Sequence, residues 1–394
     1  MHHRTWSPCG AALIVALAAT EALAQSPEGE LTLGMSAPFT GLSKELGLQL
    51  RNGLEVAFAV ANEAGGVHGR RLRLLPYDDR ADPARTVIAL NELKEKKKVL
   101  AVIGSVGTST AEVTVPFVNE KRLLLFGALS GASTLRNDPP DRYVFNFRPS
   151  CAEETAAIIR YLVEVRRIDV SHIAVFAQDD SFGEAGVEGV AKALRRYKAD
   201  SSKLLRVGYK RNTAEVDEAV KAIKRAGGRV KAVVLVASYK PAARFIEKLR
   251  DAEADLTFAS VSLAGPNELA EELSQLGATY ADGVIVTQVV PNPTAPASAI
   301  IKYRDELKRF APGEKPGFLS LEGWLVGRLF LEGLQRAGAS PTSDSLVEAL
   351  ESIHGLDLGV GVPLTFGPSE HQASHKVWGT VMDGTGAFSA IELE

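Results

Sequence analysis

Val99-Leu100-Ala101-Val102-Ile103 runs directly into Gly104-Ser105-Val106-Gly107-Thr108-Ser109-Thr110, and a helical pattern follows. Five apolar residues without alternation suit a strand buried on both faces, as in a parallel sheet covered by helices. Small residues in the turn let the backbone approach a neighbour closely. Hydroxyls and free N–H groups at a helix start are good partners for a carboxylate. A simple helix cap by Thr108 or Ser109 accounts for the same residues, and a capping turn can also face a bound molecule.

The same strand-then-helix unit recurs on both sides. Upstream, Leu31–Met35 reads as a strand. Residues 47–63 read as a helix with Leu50, Leu54, Ala57, Phe58 and Ala61 on one stripe, stopped by Gly65-Gly66. Residues 72–77 form a strand, and Asp82-Pro83 opens a helix over 83–95. Leu123–Phe126 is another apolar strand. A second series follows, with helices at 152–165, 183–198, 213–226 and 241–250 and strands at 172–177, 203–209 and 230–236. A strand at 283–288 precedes helices at 296–310, 318–337 and 342–352. From 363 onward Gly367-Pro368, Asp383-Gly384 and Gly386 punctuate short strands, which reads as an antiparallel ribbon. Repeated units of this kind predict an α/β fold with open parallel sheets and right-handed crossovers. The Lys94–Lys98 charge run ends a helix and reads as solvated.

Composition is that of a globular chain, with 394 residues, 45% hydrophobic and 24% charged. A net charge of −3, from 45 Lys+Arg and 48 Asp+Glu, gives no reason to expect a nucleic-acid partner. The first 24 residues have a basic start (His2, His3, Arg4), an apolar run over 11–19 and a small-x-small end at Ala22-Leu23-Ala24. This is the layout of a secretory signal peptide, and the run is too short to span a bilayer. Cleavage after Ala24 would remove Cys9 and leave Cys151 as the only thiol. No internal disulfide is then possible, and Cys151 is expected to be a partly buried, inert thiol.

Taken together, the chain resembles type I periplasmic binding proteins of the leucine/isoleucine/valine-binding kind, which serve ABC transporters. The resemblance rests on residues 34–47, on Asn62–Arg70, on Tyr77-Asp78-Asp79 with Asp82-Pro83, on Gly104–Thr110, on Gln178–Gly183 and on Asp282-Gly283, in that order. It implies two Rossmann-like lobes joined by a three-strand hinge. The first lobe would span 30–146 and 286–360, the second 147–285 and 361–394. It also implies a monomer in the periplasm that closes on a small ligand and hands it to a permease, with no enzyme activity, cofactor or metal.

The resemblance further implies the site. Thr108 would hold a ligand carboxylate, within the turn formed by Ser105, Val106, Gly107 and Ser109. Ala128 and Ser130, with Leu129 between them, would surround the substituents of the ligand's α-carbon. Phe182 stands where the family has a tyrosine, and Tyr239 keeps a second tyrosine of the second lobe. Leu46 stands at an aromatic position of the family. Trp324 is a candidate for one more, with the core of helix 318–337 as its competing place. Amino-acid binders of the family use an acid after the strand near 256–260 to meet the ligand ammonium. Here Phe258–Gly265, with Ser262 in the middle, contains none. An ammonium buried without a counter-charge costs several kcal/mol. A carboxylate ligand without an ammonium is therefore expected unless Asp179, Asp180 or Glu322 substitutes.

A doubly wound enzyme would carry a phosphate-binding, metalloprotease or nucleophile-elbow motif, and none occurs. His371 and His375 have i, i+4 spacing but sit in the Gly/Pro-flanked ribbon, where a solvated loop is expected rather than a metal site. A ligand-sensing domain reporting to a separate membrane receptor would share the fold and remains the alternative.

Overall fold

The computed structural model describes residues 29–252 and 255–393. The expected signal peptide and Cys9 lie outside the described residues. Strands β1 (Glu30–Ala37), β2 (Arg71–Asp78), β3 (Ala101–Ile103), β4 (Leu124–Phe126) and β5 (Val144–Phe145) form a wholly parallel sheet in the order β2-β1-β3-β4-β5. Helices α1 (Lys44–Glu63), α2 (Pro83–Asn91) and α3 (Thr108–Lys121) connect them. The continuous apolar strands are buried throughout, as two covered faces demand.

The second lobe begins with α4 (Cys151–Arg160). It continues through β6 (Ile173–Gln178), α5 (Ser181–Arg196), β7 (Leu205–Tyr209), α6 (Asp217–Ala226), β8 (Ala232–Val236), α7 (Tyr239–Arg250) and β9 (Thr257–Ser260). Then come α8 (Pro266–Leu276), α9 (Ala278–Ala281) and β10 (Ile285–Gln288). The chain returns to the first lobe with α10 (Ser298–Phe310), α11 (Phe318–Ala337), α12 (Ser343–Glu351) and the small pair β11 (Leu356–Asp357) and β12 (Pro363–Leu364). It ends with the hairpin β13 (Trp378–Met382) and β14 (Phe388–Ile391). The second sheet runs β14-β13-β10-β9-β8-β6-β7, with only β13 and β14 antiparallel. No described helix is long and apolar enough to cross a membrane.

Strand pairing differs from two expected boundaries. Residues 286–288 belong to β10 and pair within the second sheet. The stretch 363–373 lies against the first sheet. Asn146 N donates to His371 O at 2.7 Å, Ala373 N donates to Asn146 O at 2.9 Å, and Phe366 meets Phe145 edge-on at 5.2 Å. These bonds cover the open edge beside β5, a stronger constraint than the turn residues that suggested a ribbon. The solvated loop expected at His371 is also corrected. Its ring is buried, stacks on Phe145 at 3.8 Å and bonds the Val144 carbonyl. His375 is more exposed, and no cluster of metal-ligating side chains occurs among the described residues.

The chain crosses between lobes three times, near 146–150, 289–297 and 374–377. The first and third crossings are tied together at the start of α4. Ser150 and Glu153 form a capping box, and Glu153 also accepts from Gln372 Nε2 at 3.0 Å and meets His375 Nδ1 at 2.7 Å. Burial pushes the Glu153 carboxyl up, but its bonds from His375, Ser150 and Gln372 outweigh this and hold it at about 2. The same contact raises His375 above 6.5.

In the first lobe α1 crosses α11 with almost no gap. A Cβ built on Gly53 would lie 2.0 Å from Ser320 O, and one on Gly323 would lie 2.2 Å from Leu50 O. Gly53→Ala should therefore destabilise the protein by about 1–3 kcal/mol through overpacking. Gly228→Ala, where nothing lies within 4 Å, should be near neutral in the same denaturant titration. Glu153 gives a pH prediction. Its depressed carboxyl stabilises the fold above its ordinary 4.5, and that contribution is lost as pH falls toward 2. His375 contributes below 6.5 and its share is lost as pH rises past its elevated value. Glu153→Gln should flatten both limbs of the stability–pH curve while keeping the helix cap.

Candidate binding cleft

The carboxyl ends of strands from both sheets face one another across the gap between the lobes, where ligands of open α/β folds bind. Gly107, at φ +104°, turns the chain from β3 into α3, and no side chain caps that helix start. Thr110 Oγ1 folds back onto the Val106 carbonyl at 2.6 Å, leaving the hydroxyls of Thr108 and Ser109 at the surface of the turn. Facing them from the second lobe are Gln178 at the end of β6, Phe182 after it, Arg211 and Asn212 after β7, Ser238 after β8 and Leu263 after β9. Leu46, Val106, Phe182 and Leu263 give the cavity between these turns its apolar lining, beside the polar residues just named.

The lobes touch across this cavity. Ser109 Oγ donates to Asp180 Oδ2 at 2.8 Å, and the same oxygen accepts from Gln178 Nε2 at 2.7 Å and lies 3.7 Å from Arg211 Nη1. Asn212 Nδ2 donates to Arg80 O at 3.3 Å, and Phe318 N to Asn267 Oδ1 at 2.8 Å. The cavity volume is about 50 Å³. Small-molecule sites usually occupy roughly 300–1,000 Å³, so the lobes must part to admit a metabolite.

This geometry meets its counterpart in known proteins. A family profile described as periplasmic binding protein matches residues 30–387. The chain belongs to the periplasmic binding protein family. A Leu/Ile/Val-binding protein homolog 3 of Brucella melitensis is 23% identical over 352 residues, covering 88% of this chain and 90% of that protein. The crystal structure of a possible leucine/isoleucine/valine-binding protein from Rhodopirellula baltica is 34% identical. It superposes with a TM-score of 0.88, covering 93% of this chain and 97% of that one. A branched chain amino acid ABC transporter structure from Thermus thermophilus with bound valine shares the fold at TM-score 0.80 and 20% identity, covering 93% and 96%.

Of the residues singled out in the sequence of this periplasmic binding protein, Leu46, Val106, Gly107, Thr108, Ser109 and Phe182 line the cavity. Ser105, Ala128, Leu129 and Ser130 sit one layer behind them. Leu129 N donates to Ser105 O at 2.7 Å and Gly107 N to Leu129 O at 3.2 Å, which ties the two turns together. Ser130 is fully buried and its hydroxyl bonds that of Thr108 at 2.8 Å, so it orients Thr108. Tyr239 is buried at the first turn of α7, and its neighbour Ser238 meets the cavity instead. Burial holds the Tyr239 phenol well above its ordinary range. Trp324 is buried in α11, where its indole donates to Glu306 at 2.6 Å and its ring packs on Tyr303. Its helix buries nearly every face, and so the ring stays in the core.

Ser262 belongs to a buried cluster away from the cavity lining. Its N and Oγ donate to Glu154 at 2.8 and 3.0 Å, and its Oγ accepts from Arg148 Nη2 at 2.6 Å. Arg148 also faces Glu322 at 3.0 Å. Burial pushes the Glu322 carboxyl up to about 7, with Arg148 opposing and Glu154 adding to the rise. Of the three candidate acids, Asp180 bridges the lobes and Glu322 pairs with Arg148. Asp179 takes a backbone bond from its N–H to Tyr209 O.

Arg211, Asn212, Gln178, Ser238 and Leu263 were not singled out from sequence. Each follows a strand of the second lobe, so the strand-end rule applied to Gly104–Thr110 reaches them when extended to β6–β9. Ser109→Ala removes the lobe-1 donor of the latch and leaves the Asp180 cap on α5 intact. It should raise the open population, read as a larger radius of gyration in small-angle X-ray scattering. An unchanged radius would mean that this bond does not bias closure.

Proposed function

We propose that this protein is the extracytoplasmic substrate-binding component of an ABC transporter of the branched-chain amino acid type. It closes on a small carboxylate-bearing ligand and delivers it to the permease. The observation that carries this reading is the make-up of the cavity. An apolar sleeve of Leu46, Val106, Phe182 and Leu263 lines it together with Thr108, Ser109 and Arg211. Such a sleeve suits a branched aliphatic group. The uncapped start of α3 and a guanidinium suit a carboxylate. The description of the Rhodopirellula baltica relative supports the same ligand class. The layout of residues 1–24 supports export to the periplasm, and a monomer is expected there.

In this mechanism an open form binds ligand chiefly through the first lobe, at the 105–110 turn backed by Ser130. The second lobe then swings in with Phe182 and Arg211, and the Ser109–Asp180 contact closes the mouth. Ligand favours the closed state because only there do both lobes touch it. The permease would recognise the two lobes in their closed register.

The cavity wall carries no acid, and Asp180 beside it already serves Ser109, Gln178 and Arg211. A carboxylate without an ammonium therefore fits better than an amino acid. Calorimetric titration of residues 25–394 with leucine, valine and their 2-oxo acids tests this. Binding confined to the amino acids would overturn the ligand assignment. Thr108→Ala together with Ser130→Ala should weaken binding of the preferred solute by about 1–3 kcal/mol per lost partner. Unchanged affinity would place the site elsewhere.

A further inference from the structure

Tyr209 closes β7 and is 2% exposed. Its ring stacks on Phe176 at 5.2 Å, and Phe176 in turn stacks on Phe245 at 4.0 Å. A phenylalanine would fill this place in the core as well, and a buried hydroxyl costs stability unless it is bonded. Both bonds of this hydroxyl go to the cavity wall. Ser238 N donates to the phenol oxygen at 3.1 Å, and the phenol donates to Gln178 Oε1 at 2.9 Å. Gln178 and Ser238 both line the interlobe cavity. Sheet order explains the reach. Strand β6 lies between β7 and β8, and Gln178 pairs in register with Tyr209. The phenol therefore ties together the ends of three neighbouring strands.

Chemistry fixes the direction of each bond. The Ser238 amide can only donate, so the phenol accepts from it and keeps its own hydrogen for Gln178. Burial pushes the phenol up, which keeps that hydrogen in place at neutral pH. A carboxamide that accepts through Oε1 presents a donor at its other end. Gln178 Nε2 donates to Asp180 Oδ2 at 2.7 Å, and the same oxygen takes the Ser109 hydroxyl of the first lobe at 2.8 Å. Turned over, the amide would set its oxygen against a carboxylate. The other oxygen of Asp180 accepts from Phe182 N at 3.0 Å, which holds the carboxylate at the start of α5.

We infer that Tyr209 is a positioning residue for lobe closure: through Gln178 it aims Asp180 at Ser109, and so ties the latch to the wall of the ligand cavity. This deepens the binding reading above and rests on it for the ligand. The latch forms only when the lobes meet. Tyr209 therefore acts on the rate at which a ligand leaves, and not on its capture by the first lobe.

Y209F removes the hydroxyl and keeps the ring on Phe176. In small-angle X-ray scattering of the full chain without ligand, Y209F should enlarge the radius of gyration as S109A does. Y209F/S109A should go no further than either change alone, because both break the same contact. Q178E leaves an acceptor for Tyr209 but sets a carboxylate against Asp180. Relative to the unaltered protein, it should open the lobes at about pH 8 and let them close again at about pH 5, where the two carboxyls share a proton. A merely structural loss would not reverse in this way. With 4-methyl-2-oxopentanoate and leucine as probes, stopped-flow dissociation from Y209F should be about 3- to 10-fold faster, the range of one lost hydrogen bond, with association unchanged within about twofold. A radius for Y209F equal to that of the unaltered protein, additive enlargement in Y209F/S109A, or slower association with unchanged dissociation overturns the inference. If Y209F does not melt cooperatively, Q178E decides it: lobes that stay closed at about pH 8, or stay open at about pH 5, overturn it. Failure of both probes to bind counts against the proposed ligand and leaves the scattering to decide the role of Tyr209.

Discussion

The guanidinium of Arg136 joins the parts on which the cleft depends. Nη1 donates to the carbonyls of Ser130 and Ala132, and Nη2 to those of Arg148 and Pro149, at 2.8–3.4 Å. Nε donates to Gln372. One planar fork thus fixes the turn that orients Thr108, the first crossing and the strand leading into the third. A point charge on a flexible stem has no comparable geometry. With these segments held, the lobes can move only about a defined axis, and the binding turn of the first lobe moves as a unit with the hinge.

Around that pin, polar groups are distributed unevenly. The central strands β3, β4, β8 and β10 are buried throughout and, apart from Thr287 and Gln288 at the end of β10, apolar. The carboxyl ends of the sheets carry hydroxyls, amides and charges, several of them buried without a hydrogen-bond partner: Ser105 Oγ, Arg148 Nε and Nη1, Ser181 Oγ and Gln288 Oε1. Native interiors rarely leave such groups unanswered. Their placement at strand ends and crossings marks the interlobe region as the part of the molecule built for contact with something else. The apolar layers supply rigidity, and the latch between Ser109 and Asp180 is formed by side chains alone.

Much of this was legible in the chain. Val99–Thr110 announced a buried parallel strand and its small-residue turn, and both stand where expected. Helix 83–95 stands, but its last part, 92–96, widens into a π turn, which the apolar period does not distinguish. Helix α8 carried no expectation. Its opening Gly265-Pro266 reads as a break, although proline is well placed at a first helical turn. The edge role of 363–373 is hidden because its buried apolar residues Leu364, Phe366 and Ala373 are interrupted by buried polar His371 and Gln372, and burial is inferred from apolar pattern. Ser130 was recognised as important, but a second-layer role depends on its bond to Thr108, a contact between two separate turns. Arg211 and Arg148 look in sequence like any solvated cation.

Cys151, at the first turn of α4, has a bearing beyond the cleft. A thiol at a helix start is ordinarily a candidate for activation. Here burial dominates, with Glu154 adding to it, and the group is pushed up to about 12. At neutral pH the group is held as the thiol. A chain of residues 25–394, in which Cys151 is the only cysteine, is in consequence a clean chassis for site-selective chemistry. A cysteine introduced on the rim of either lobe would take a fluorophore alone, and the domain motion would become an optical signal of solute concentration.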